Sequence, residues 1–305
     1  MAKDEDEGAL TRKPSVIKYL FDRRYDAANR QLTDPLIKSD ALVEAIEACN
    51  QLGGKPLSTR NPANFLKDFL RSPKRNELWP SELKNAGITA RQKYRKKRVF
   101  AFAPYSSGQT EPFPDHFILP IDAEEQVVES VSLASAARAL GRADEAWLIQ
   151  VCVHQRIVQT QFALHSELSC DVIDLFHLQN SVKATPEIDA IFLLTLRRGK
   201  DTTKALVTLE AKRNEPILAD QIRAQVAYMA NHCRAKKGLS DVSLIIPVAA
   251  RSQVHNGSRV VALFEMAPVS VERGAEAYAA DEEHLLKLDI REPVAYRLRP
   301  DVTGI

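Results

Sequence analysis

Two runs of strand-forming residues, IDAIFLLTL (188–196) and ALVTL (205–209), flank the segment RRGKDTT. Branched aliphatic and aromatic side chains on either side of a polar, glycine-containing stretch predict a β-hairpin. A turn centred between Gly199 and Lys200 puts Asp189 opposite Glu210 and Glu187 opposite Lys212 on the antiparallel ladder. Side chains alternate faces along a strand, so Glu187 and Asp189 share one face of theirs, as do Glu210 and Lys212. All four polar groups then converge on one patch, while Ile188, Ala190, Leu209 and Ala211 point the other way, into a core.

Two carboxylates directly opposed on a sheet repel unless a cation lies between them. Hard oxygen ligands of this kind suit Mg²⁺, which binds through one or two carboxylates and keeps waters and substrate phosphate in its shell. Such an ion lowers the pKa of a bound water and stabilises charge on a phosphoryl oxygen, and Lys212 beside it can orient the water or neutralise that charge. These are the parts of a phosphodiester hydrolase.

The pattern resembles the PD-(D/E)XK nuclease superfamily, which includes many restriction endonucleases and some repair and recombination nucleases. The resemblance rests on Asp189 in the first strand and Glu210-Ala211-Lys212 in the second, followed by a helix, and spans residues 144–266. It implies Asp189, Glu210 and the Ala211 carbonyl as Mg²⁺ ligands, with Lys212 assisting the attacking water. It also implies a further acid from the helix before the hairpin, for which Glu145 and Glu167 are both candidates. A glutamine on the following helix, Gln221 or Gln225, is implied near the site. Ile188, where the family's nominal pattern has proline, is a departure. Literal Glu-x-Lys and Pro-Asp strings also occur at Glu82-Leu83-Lys84, Pro114-Asp115 and Pro300-Asp301. Strand context and register separate Asp189 and Glu210 from these.

The function this resemblance implies is that of a type II restriction endonuclease, cutting double-stranded DNA at a specific site as a homodimer whose two-fold axis matches a palindrome. A repair, recombination or transposition nuclease uses the same chemistry, and a catalytically inactive DNA-binding regulator keeps the fold alone. The intact Asp189, Glu210 and Lys212 set argues against the last.

The rest of the chain frames this site. Its 305 residues, 45% hydrophobic and 27% charged, are those of a globular protein with room for two domains. No apolar run is long enough to span a bilayer, and the acidic opening MAKDEDEGAL lacks the basic start and apolar stretch of a secretory signal, so a cytoplasmic location is expected. Cys49, Cys152, Cys170 and Cys233 are too scattered for a zinc site or disulfide framework and read as buried, reduced thiols.

Residues 1–13 read as a disordered acidic tail, and residues 14–103 as a helical, helix-turn-helix-like DNA-binding domain. Helices are expected over 14–32, over 39–52 with Ser39 or Asp40 as cap, and from Asn61-Pro62 through Phe65, Leu66, Phe69 and Leu70. The domain ends on RQKYRKKR, where Arg91, Lys93, Arg95, Lys96, Lys97 and Arg98 suit phosphate contacts and Tyr94 suits stacking on a base. With a net charge of only +2, attraction to DNA has to come from such a local patch.

Residues 104–122 read as a Pro-rich linker after the strand VFAFA, and residues 123–305 as the nuclease domain. Within it, helices are expected over 123–140 and 144–164. Another should begin at Pro216, with Gln221, Gln225, Tyr228 and His232 as its polar stripe. SLIIPVAA and RVVALFEM read as strands joined at Asn256-Gly257. The expected fold class is α/β (α+β): a mixed sheet flanked by helices, with a restriction-endonuclease-like core, behind a mostly helical N-terminal domain.

Overall fold

The computed structural model describes residues 12–305, and the chain divides into two compact units after Asp115. The first eleven residues of the expected acidic tail lie outside the described residues. Lys13, assigned to that tail, instead opens a helix, and its ammonium donates to the Phe65 carbonyl at 2.9 Å.

In the first unit, helix α1 (Lys13–Asp22) buries Val16, Ile17, Leu20 and Phe21. It stops ten residues short of the expected end at 32, and β1 (Tyr25–Asp26) and β2 (Gln31–Leu32) form a small hairpin in its place. The Asp26 carboxylate accepts the backbone N–H groups of Ala28 and Asn29 at 2.9 and 3.2 Å, a local turn that competes with helix continuation. After β3 (Leu36–Lys38) comes α2 (Ser39–Gln51), which ends ahead of Gly53 and Gly54, both at positive φ. Ser39 does not cap this helix with its side chain. Its N–H and hydroxyl both donate to the Lys97 carbonyl, at 2.8 and 3.0 Å.

A 3₁₀ turn at Pro62–Asn64 leads into α3 (Phe65–Arg71), whose Phe65, Leu66, Phe69 and Leu70 are buried as the spacing predicts. Two short helices, α4 (Arg75–Leu78) and α5 (Ser81–Asn85), precede β4 (Ile88–Gln92) and β5 (Arg98–Pro104). A purely helical description of this unit is therefore incomplete. Strands β3, β5 and β4 form an antiparallel sheet in that order, anchored by buried Phe100 and Phe102.

The second unit is built on an eight-stranded mixed sheet. Its strands are β6 (Glu124–Glu129), β7 (Val172–Val182), β8 (Ile188–Arg198), β9 (Asp201–Lys212), β10 (Val242–His255), β11 (Ser258–Glu265), β12 (Val269–Ser270) and β13 (Val294–Arg299). The order is β6-β13-β11-β10-β9-β8-β7, with β12 attached to β10; β9–β10 and β13–β6 are parallel. One face packs α7 (Glu145–His154) and α8 (Ile157–Thr160), through Leu148, Val151, Cys152 and Val158. The other packs α9 (Ala219–Ala235) and α10 (Val271–Ala280), through Ile222, Val226, Met229 and Ala275.

Three sequence expectations change here. The helix expected over 123–140 is β6 followed by the short α6 (Ser135–Ala139), because Glu124–Glu129 finds a parallel partner in β13. Tertiary pairing overrides a weak local preference. The long helix over 144–164 breaks at Arg156, in left-handed conformation, and ends in a π-helical turn, Gln161–His165. The helix expected to start at Pro216 starts at Ala219. Of the cysteines, Cys49, Cys152 and Cys233 are buried and Cys170 is exposed. No helix among the described residues is long and apolar enough to cross a membrane.

Candidate active site

The hairpin of β8 and β9 has the register its turn predicts, with pairs running from Arg198↔Asp201 to Ala190↔Leu209. Gly199 at the turn has φ 64, a conformation that costs glycine little. Ala190, Leu209 and Ala211 pack into one core cluster, as the residue pattern requires, whereas Ile188, expected on the same face, is buried in the cluster beneath α9 on the other side. Past the last of these pairs Asp189 interacts through its side chain: its Oδ2 accepts the Ala211 N–H at 2.8 Å.

Glu210, 1% exposed, lies under α9. Gln221 Nε2 donates to its Oε1 at 2.7 Å and Gln225 Nε2 to its Oε2 at 2.6 Å. The Gln225 amide also donates to the Glu187 carbonyl at 2.7 Å, tying the entry of β8 to the carboxylate on β9. The polar stripe on α9 therefore divides. Gln221 and Gln225 are buried donors at the site, whereas Tyr228 stacks on His232 and packs edge-on against Tyr278.

Lys212 draws the oxygens together. Its ammonium lies 3.0 Å from Glu210 Oε1, 2.8 Å from Glu145 Oε2 and 3.1 Å from the Ala211 carbonyl. Glu145 projects from the first turn of α7, whose N-terminus is capped by the Asp144 carboxylate accepting the Trp147 N–H at 2.9 Å. Sequence left Glu145 and Glu167 as equal candidates. The structure brings Glu145 to Lys212 and pairs Glu167 with Arg291 at 2.9 Å. Glu187 does not reach Lys212: its carboxylate accepts from Lys183 at 2.7 Å and from the Ser181 hydroxyl. Residue 187 precedes β8, so strand alternation does not extend to it, and Lys212 is held by two other carboxylates.

The electrostatics follow from this crowding. Burial, then the Glu210 charge, pushes the Asp189 carboxyl up to about 7, against the opposing pull of Lys212 and the Ala211 N–H. For Lys212, burial works to depress the ammonium's pKa, but the Glu210, Glu145 and Asp189 carboxylates outweigh it and hold the pKa above its ordinary value. Lys212 is thus a fixed positive charge near neutral pH. Asp189 is a carboxylate waiting for more positive charge than one ammonium provides.

Among the described residues no group of three or more His, Cys, Asp or Glu side chains is arranged to hold a metal ion. A divalent cation at this locus would have two carboxylates, Asp189 and Glu210, and the Ala211 carbonyl available from the chain. That donor set suits Mg²⁺, which keeps several waters or phosphate oxygens in its shell, and not a fully protein-lined cage. The convergence of carboxylate and carbonyl oxygens on the Lys212 ammonium shows that this locus already accommodates a cation. Gln221 Oε1, buried without a hydrogen-bond partner, adds an acceptor beside Glu210.

The basic segment belongs to the first unit and is a β-hairpin. Arg91 lies in β4, Arg98 opens β5, and Lys93, Tyr94, Arg95, Lys96 and Lys97 connect them. Lys96 and Lys97, both at positive φ, are exposed, whereas Arg91, Lys93, Tyr94, Arg95 and Arg98 are partly buried. The Glu82-Leu83-Lys84 string falls on α5, where Glu82 pairs with Lys18 at 3.3 Å, away from any opposed acid of the β8–β9 kind. No protein-family model, curated protein or solved structure matches the chain significantly.

Proposed function

We propose that the chain is a Mg²⁺-dependent DNA endonuclease of the PD-(D/E)XK type, a hydrolase of phosphodiester bonds in double-stranded DNA. The observation that carries this reading is the convergence of Asp189, Glu210 and Lys212 at the end of one buried hairpin, with Glu145 joining them from α7. Asp189, Glu210 and the Ala211 carbonyl would hold the ion. Bound there, Mg²⁺ supplies a lowered pKa for water and charge stabilisation at the phosphoryl oxygen.

The chain's own residues have separate tasks. Gln221 and Gln225 fix both oxygens of Glu210, so that the carboxylate is preorganised. Lys212, held protonated by its carboxylates, offsets the negative charge that develops on the phosphate as the attacking oxygen adds. Glu145, at the more open end with its side chain 38% exposed, holds the ammonium in position. In the first unit, the exposed Lys96 and Lys97 of the basic hairpin supply backbone contacts to DNA. Within this chemistry we favour a type II restriction endonuclease acting as a homodimer.

The test is incubation of the purified protein with several plasmids in Mg²⁺, beside Asp189→Ala and Lys212→Ala. Discrete fragments from the native protein and none from either variant support site-specific cleavage. Equal activity in all three would eliminate this site.

A further inference from the structure

Strand β9 ends at Lys212, but its parallel neighbour β10 continues from Arg251, the register partner of Lys212, to His255. Register partners on parallel strands project to the same face, so Arg251 stands beside Lys212, one strand spacing of about 4.8 Å away. Beyond them the flank of β10 has no β9 residue to cover it. A cavity of about 300 Å³ fills this step, and its polar lining is Arg213, Asn214, Arg251, Ser252, Gln253 and Arg259. Three guanidinium groups and no carboxylate face one small space.

Each guanidinium donates to at least one uncharged acceptor. Arg213 Nε donates to the Gly304 carbonyl at 2.9 Å, Arg251 Nη1 to the Phe117 carbonyl at 3.1 Å and Arg259 Nη1 to Ser252 Oγ at 3.1 Å. Gln253 donates to the same Phe117 carbonyl at 2.7 Å, which steadies the wall. For Arg213 and Arg259 such bonds orient the cation without neutralising it. Among the described residues neither Arg213 nor Arg259 lies within ion-pair distance of a carboxylate. Like charges gathered this closely repel unless an anion joins them, and the guanidinium fork matches the two free oxygens of a phosphodiester.

We propose that this cavity binds a DNA backbone phosphodiester neighbouring the one cleaved. This rests on the nuclease reading of the adjoining Lys212 site. Held there, the flanking phosphate fixes the direction in which the strand crosses β9 and β10, and so which bond is presented to Asp189, Glu210 and Lys212.

The experiment is DNA binding without catalysis: fluorescence anisotropy of a labelled duplex with the full chain in EDTA, repeated over a range of salt concentrations. The slope of log affinity against log salt counts neutralised phosphates at about 0.9 each. Arg259→Gln and Arg213→Gln are each expected to flatten it by about 1, while Arg259→Lys, which keeps the charge, stays close to the native slope. Thermal unfolding of each variant checks that the fold survives, and the exposed Arg259 gives the cleaner pair.

Unchanged slopes in both glutamine variants overturn the proposal. So does a result in which a free nucleoside monophosphate binds the native protein but not Arg259→Gln while the duplex slopes stay equal, since that assigns the cavity to a free nucleotide. The two readings fail separately. A flattened slope with no Mg²⁺-dependent cleavage by the native protein removes the nuclease and keeps the phosphate site; cleavage with unchanged slopes removes only the phosphate site.

Discussion

The central sheet buries a glutamate on each face, Glu210 under α9 and Glu265 under the π-helical turn Gln161–His165. They are 1% and 3% exposed. Both satisfy their oxygens with side-chain donors. Glu210 has the Gln221 and Gln225 amides, and Glu265 has the Ser166 hydroxyl at 2.6 Å and the Gln161 amide at 3.1 Å. Tyr296 completes the second network by donating to Gln161 Oε1 at 2.9 Å. Burial raises the pKa of Glu265, partly countered by Ser166 and Gln161.

What differs is the company each keeps. Around Glu265 the hydrogen-bond partners are neutral, the paired charges of Arg291 and Glu167 act on it more weakly and in opposite senses, and the network links the π-helical turn, β11 and β13 as a structural post. Around Glu210 stand an ammonium and a second carboxylate, with Asp189 pushed towards protonation and Glu145 at a more open rim. Buried charge by itself marks neither face as reactive. Acids gathered beside a fixed cation are what single out the Glu210 face as the candidate site.

Removing that cation should have the largest effect on the comparison. Lys212→Ala leaves Glu210 buried beside Asp189 with no positive charge, and breaking a buried ion pair in this way costs about 3–5 kcal/mol. Urea denaturation in EDTA is expected to show a loss of that order. A change below about 1 kcal/mol would mean that the carboxylates find water or neutralise, and that the site is looser than described.

A smaller effect concerns pH. The Asp189 carboxyl rises from an ordinary 3.8 to about 7 on folding, so between those values the folded chain keeps a proton that the unfolded chain has released. Its contribution to metal-free stability is therefore full at the acid end and falls as pH rises through that window. Asp189→Asn removes the dependence. In EDTA, the variant's unfolding midpoint should gain on the native one between pH 4.5 and pH 7.5; parallel profiles would show that Asp189 is not under this strain.

Much of the geometry of the candidate face was legible in the sequence, because its information is local. The strand runs, the glycine at the turn and the two-residue period place Asp189, Glu210, Ala211 and Lys212 with no knowledge of the rest of the fold. Glu145 was ambiguous because its contact with Lys212 crosses 67 residues of chain, and no periodicity records that distance. The same limit hid the Glu265 network, whose partners Gln161 and Ser166 are 104 and 99 residues away. Gln221 and Gln225 were visible as a stripe on a helix, but only packing under the sheet distinguishes buried donors from a solvated face. Strand β6 was misread for a related reason: EEQVVE becomes a strand through β13, which follows it by about 170 residues.

The most direct test substitutes the two buried glutamates in parallel, Glu210→Gln and Glu265→Gln, and measures Mg²⁺-dependent plasmid cleavage per folded molecule. Each change keeps the size of the side chain and removes one buried charge. Glu210→Gln is expected to lose cleavage by at least about 100-fold, while Glu265→Gln stays within about threefold of the native protein, a difference of under about 1 kcal/mol. Similar rates in the two variants would contradict the assignment of catalysis to the Asp189, Glu210 and Lys212 face.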